Sequence, residues 1–145
     1  MTQAWLGVVS RSHVWQGVEG GFAQVCHGKA QPLRRMKKGD IFVYYSPSVE
    51  MQGAPLKAFT ALGMIQDDEV FEYDMGNGFV PFRRRVKYGQ AREVPLETVR
   101  GDLDLCVPRN WGIILRRGLI PLTDNDIGVI ARAMDVDLAA LRSNP

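Results

Sequence analysis

The chain has 145 residues, 46% of them hydrophobic, with 18 Lys and Arg against 16 Asp and Glu and a formal net charge of +2. That length and apolar share suit one domain, residues 1–145, with a core of its own. The near balance of charge excludes a polycation. The two cysteines, Cys26 and Cys106, exclude a disulfide framework, and no apolar run approaches the roughly 18 residues that cross a bilayer. With no secretory leader pattern at the start, a reducing cytoplasm is the expected location.

The first element is a short apolar run with β-branched residues, Trp5 to Val9, which reads as a strand. Ser10 follows as a helix cap for a turn over Arg11 to Gln16. Val18 to Phe22 is a glycine-rich loop through Gly20 and Gly21, leading into an extended piece from Phe22 to Cys26. Pro32 to Met36 holds one helical turn. Lys38-Gly39-Asp40 is a turn that delivers the chain into Ile41 to Tyr45, a β-branched and aromatic run expected to be a central buried strand. Lys57 to Ile65 is a further strand, with Gly63 marking a bulge or a close contact. Glu72-Tyr73 and Phe79 to Val86 flank Asn77-Gly78, a hairpin signal. Pro95 to Leu103 reads as a short helix and Trp111 to Leu115 as a late strand. Thr123 caps a helix running to Met134, whose Ile127, Ile130 and Ala131 share a core-facing stripe, and Leu138 to Leu141 closes with a helical turn. The sum is an α+β architecture: a mixed, strongly curved sheet or small barrel with short helices around it.

Charge is unevenly placed. From Lys29 to Lys38 there are five bases and no acid, and Arg83, Arg84, Arg85 and Lys87 form a second cluster. Aromatic faces and polar edges beside positive charge suit a nucleobase on a phosphate backbone. Along a strand Arg84 faces away from Arg83 and Arg85. Trp5 and Trp111 sit in apolar runs that fit core packing, with an indole N–H on a backbone carbonyl, whereas Trp15 belongs on a helix surface. His13 and His27 sit in no nucleophile–base pattern, since neither a GxSxG elbow nor a Cys/His/Asn set is present. No residue is therefore assigned to catalysis. Cys26, His27, His13 and Cys106 lack CxxC or HxxxH spacing, so no metal or other cofactor is expected.

Several pieces together carry a family resemblance. They are Trp5-Leu-Gly-Val-Val-Ser10, His13 ahead of Gly17-Val-Glu-Gly-Gly-Phe-Ala-Gln24, His27-Gly-Lys29, Arg35-Met36 before Gly39-Asp40, Tyr44-Tyr-Ser-Pro47, and Trp111 ahead of Arg117-Gly118 and Ala133-Met134. The combination resembles the EVE domain, of the PUA-like group that also includes YTH and ASCH domains. The resemblance implies a curved PUA-type β-barrel and a cleft that in relatives holds a modified base of DNA or RNA, lined in YTH domains by an aromatic cage. The glycine loop here has no tryptophan where YTH domains place one. The expected ligand wall comprises Ser10, His13, Gly20, Gly21, Phe22, Gln24, His27, Lys29, Tyr45, Ser46, Pro47 and Trp111, with Lys29, Arg35, Arg84 and Arg117 on phosphates. The expected partner is nucleic acid carrying a modified base, single-stranded or flipped out, because a stacked base must first leave its neighbours. Two other readings remain: a small enzyme on a nucleotide or small anion with His13 or His27 as general base, and an accessory domain that binds a protein partner.

Overall fold

A computed structural model describes residues 3–143. Five segments build the main sheet: β1 (Ala4–Val8), β3 (Ile41–Ser48), β4 (Pro55–Glu72), β5 (Phe82–Tyr88) and β7 (Leu119–Leu122). Two short strands, β2 (Phe22–Ala23) and β6 (Val94–Pro95), join its margins. The order is β2-β5-β4-β3-β1-β7, with β6 on β4. Among the described residues only β1 and β3 run parallel; the other pairings are antiparallel. Parallel neighbours need a long crossover, and the chain between them supplies α1 (Arg11–Gly20), β2 and α2 (Ala30–Leu33). Register shifts between Ile65 and Val70 and between Tyr44 and Tyr45 bend the sheet. Among the described residues β2 and β7 remain unpaired with each other, so of the expected curved sheet or small barrel it is the curved, unclosed sheet that forms.

Both faces of the sheet are covered. Ile41, Val43 and Tyr45 point to one core with Leu6, Phe59 and the helices α3 (Leu96–Val99), α5 (Asp124–Ala133) and α6 (Leu138–Ser143). Phe42 and Tyr44 point to the other with Trp5, Val14 of α1 and Leu33 of α2. A strand packed on both faces reads as a continuous apolar run, which is why Ile41 to Tyr45 stood out. The Trp5 indole donates to the Asp40 carboxylate at 2.9 Å, in place of the backbone carbonyl expected for it. The hairpin between β4 and β5 turns through Gly76 and Gly78, each at φ +85°. Gly63 is the close contact: a Cβ there would stand 2.7 Å from the Lys87 carbonyl oxygen.

One expected element is of the wrong type. Trp111 to Leu115 is not a strand; α4 (Trp111–Ile114) runs on into a 3-10 turn, Leu115–Arg117. Turn bonds from Trp111 N to Pro108 O and from Ile113 N to Asn110 O start the helix before any ladder can form. Gly118, at φ +80°, stops it, and β7 begins at Leu119.

Candidate nucleic-acid interface

The topology places three chain ends at one edge of the sheet. Parallel pairing puts the C-terminal ends of β1 and β3 side by side, and antiparallel pairing sets the start of β7 beside the end of β1, with Val8 N bonded to Gly118 O at 2.9 Å. The segments leaving these ends surround a solvent-open cavity of about 1100 Å³. Its walls come from Val8 to Ser10 and His13, from Gln24 to Lys29 with Arg35, from Pro47, Ser48, Met51 and Gln52, and from Leu115 to Leu119, with Phe79 reaching in from the β4–β5 hairpin.

Four cations line it, Lys29, Arg35, Arg116 and Arg117, and no Asp or Glu does. Among the described residues none of the four forms an ion pair. Arg35 is held in place by the Trp5 ring, 4.8 Å from its guanidinium, and by the Leu119 carbonyl. An uncompensated cationic concavity focuses positive potential and draws anions such as phosphates.

Two of the lining residues, His13 and Gln24, are tied down by hydrogen bonds. His13 hydrogen-bonds the Gln24 backbone; burial is the largest influence on its pKa and pushes it down, with Arg83's charge acting the same way and that hydrogen bond opposing. The neutral ring is thereby favoured. Its Nε2 is buried and has no partner. Gln24 is fixed from several sides: its Oε1 accepts from Arg83 Nε at 2.9 Å, and the Tyr44 hydroxyl bonds its backbone N–H and carbonyl. Burial pushes the Tyr44 hydroxyl up to about 12, which keeps it a neutral hydrogen-bonding group. Arg83 lies between the rings of Phe22 and Tyr73, 3.7 and 4.0 Å away. Burial likewise raises the pKa of Cys26, against the opposing charges of Lys29 and Arg35. A thiol held neutral is a poor nucleophile.

Cys26, His27 and Gly28 are consecutive residues at positive φ, 51°, 60° and 80°. For Cys26 and His27 the left-handed region costs roughly 1–2 kcal/mol each. Gly28 has no alternative, because a Cβ would stand 2.4 Å from Pro81 Cβ and 3.3 Å from the Phe79 ring. The tight turn thus lets the hairpin bring Phe79 over it to the cavity. Phe79 is a lining residue that the sequence did not single out; its only signal is its place directly after the Asn77-Gly78 turn.

Of the residues expected at the site, Ser10, His13, Gln24, His27, Lys29, Arg35, Pro47 and Arg117 are brought together here. Ser10 makes no side-chain cap bond to α1, contrary to its expected capping role; its hydroxyl meets that of Ser12 at 3.3 Å. The others lie elsewhere. Gly20 ends α1 and Gly21, at φ +71°, is its left-handed C-cap, so the expected glycine loop is a helix terminus. Phe22 is buried beneath Arg83. Tyr45 packs edge-on to Phe59 in the core, and Ser46 is fully buried against the Thr60 hydroxyl at 2.9 Å. Trp111 packs against the same core, with the Arg100 guanidinium 5.3 Å from its ring. Arg84, expected on phosphates, is 1% exposed and donates to the carbonyls of Leu33, Met36 and Asp67, so it clamps α2 to β4 instead. Phe22, Tyr45 and Trp111, expected on the ligand wall, therefore do not line this cavity, and among the described residues the phenyl ring that does is that of Phe79.

Among the described residues no three His, Cys, Asp or Glu side chains gather as a metal site, and no helix is long and apolar enough to cross a membrane. A family model described as EVE domain matches residues 3–133. A UPF0310 protein of Renibacterium salmoninarum is 47% identical over 135 residues, spanning 92% of this chain and 96% of its own. The UPF0310 protein YdcG of Bacillus subtilis is 36% identical over 142 residues, 97% of each chain. An NMR structure of a Rhodopseudomonas palustris protein aligns over 92% of this chain and 94% of its own, with a TM-score of 0.59 and 19% identity.

Proposed function

Because the chain belongs to the EVE domain family, we propose that it works as one nucleic-acid-binding domain that holds a modified nucleobase in the cavity at the ends of β1 and β3. The observation that carries this reading is the four-cation, carboxylate-free lining of a concavity of about 1100 Å³. Ligand pockets run roughly 300–1,000 Å³, so this one has room for a base together with its flanking sugar and phosphates. Lys29, Arg35, Arg116 and Arg117 contact the backbone, which positions the strand without reading its sequence. Phe79 offers a stacking face worth about 1–3 kcal/mol for one base. Unstacking a base from duplex costs a few kcal/mol, so a single strand or an already unpaired base is the favoured substrate.

The test is a titration of the purified protein with matched short single strands, DNA and RNA, carrying one methylated or hydroxymethylated base or none, at one fixed moderate salt. The reading expects one modified strand to bind at least about tenfold more tightly than its unmodified match, about 1.4 kcal/mol. It also expects Lys29→Glu with Arg117→Glu to weaken all strands together. Equal binding of every strand, untouched by the charge reversals, would contradict it.

A further inference from the structure

His13 and Gln24 both line the cavity, and the hydrogen-bonding groups each has left over are set by the partners behind them. The His13 ring spends one nitrogen on the Gln24 backbone, and its Nε2 has no partner. Gln24 Oε1 accepts from Arg83 Nε at 2.9 Å. Arginine only donates, so the atom facing it must be the amide oxygen, and the amide nitrogen with its two hydrogens is what Gln24 has left for a ligand. Because the imidazole bonds the backbone of the same Gln24, the two residues are neighbours on the cavity lining.

We propose that His13 and Gln24 read the Watson–Crick edge of the bound base, and that the cavity selects bases with an exocyclic amine over their keto counterparts. The proposal rests on the nucleic-acid reading above and names the ligand class of that same site. Cytosine-type and adenine-type bases carry an amine donor next to a ring-nitrogen acceptor. The amine gives a hydrogen to His13 Nε2 and the ring nitrogen takes one from the Gln24 amide. Thymine, uracil and hypoxanthine carry the reverse pair, an oxygen beside an N–H. Against this floor they set lone pair to lone pair and hydrogen to hydrogen, and a site built for hydrogen bonds rejects such ligands strongly. Nε2 is shielded from bulk water in the free chain. Its engagement therefore needs a small tilt of the ring into the cavity, and the bond then forms without competition from solvent.

The experiment uses two pairs of single strands that differ at one base by the edge alone: 5-methylcytosine against thymine, and adenine against hypoxanthine. In at least one pair the amino member is expected to bind about tenfold or more tightly, with no keto preference in the other. In His13→Phe, checked for folding by its unfolding midpoint, that preference shrinks to about twofold or less, as expected for removal of one directly coupled partner. If this variant fails to fold, a strand with 2-pyrimidinone in place of cytosine deletes the amine from the ligand instead. The wild-type protein is then expected to lose the same tenfold. Binding of both pairs without discrimination overturns the edge reading and leaves nucleic-acid binding standing. Absence of binding to any strand overturns both.

Discussion

Arg84 and Phe79 show how differently two residues of one hairpin behave. Arg84 satisfies three carbonyls from α2 and β4 while 1% exposed, so Arg84→Met removes all three bonds and strands the acceptors. At about 1–3 kcal/mol for each unsatisfied buried group, partly offset by relaxation, a loss of about 3 kcal/mol is expected in urea unfolding. Phe79 is 44% exposed and supports little of the core. Phe79→Ala is expected to weaken strand binding by about 1–3 kcal/mol while leaving the unfolding midpoint within about 0.5 kcal/mol of wild type. His13 adds a pH dependence whose sign follows from its lowered pKa. The folded chain prefers the neutral ring and the unfolded chain takes up a proton more readily. Stability is therefore lost as the pH falls below the unfolded value of about 6.5, and nothing is gained above it. The difference between the unfolding midpoints of wild type and His13→Phe, followed from pH 8 downward, is expected to change only below that value.

At the level of elements, local sequence sufficed wherever one local signal decided the outcome. Thr123 accepts from Asp126 N at 3.1 Å and starts α5 where a helix cap was expected, and Asn77-Gly78 marks the turn of the β4–β5 hairpin. Ile41 to Tyr45 announced a central strand because both its faces are covered. The reading failed where two local signals competed. Trp111 to Leu115 has strand-like composition, but the turn bonds from Pro108 and Asn110 commit it to a helix, and Gly118 rather than Trp111 marks where β7 begins. The Cys26–Gly28 turn was also hidden, because its left-handed residues other than Gly28 are not glycines. Gly28→Ala is expected to destabilise the chain by about 2 kcal/mol or more, from the strained φ together with the clash on Pro81. Strand binding is expected to weaken with it, since the Phe79 ring packs over the same turn.

The cavity belongs to the whole molecule. It draws on five separate stretches of chain that meet only because β1 and β3 run parallel and β7 returns antiparallel to β1. Sequence reasoning found His13, Gln24, Lys29, Arg35 and Arg117 as polar or basic residues in suggestive places, but nothing local could tell that Tyr45 turns inward while Pro47, two residues on, lines the cavity. Nor could it tell that Arg84 is consumed by carbonyls. At this scale the four unpaired cations make a salt-dependent prediction. The slope of log affinity against log salt is expected to be shallower in the Lys29→Glu, Arg117→Glu variant than in wild type, by roughly 0.7 for each phosphate of a single strand that the variant no longer neutralises.

The most direct test of the central claim is an NMR map of amide and side-chain shifts on adding a short single strand that carries the preferred modified base. The account predicts that the large changes fall on His13, Gln24, Gly28, Phe79 and Gly118, with Tyr45 and Trp15 unmoved. Changes centred on the exposed Trp15 face of α1, or spread evenly over the surface lysines and arginines, would contradict it.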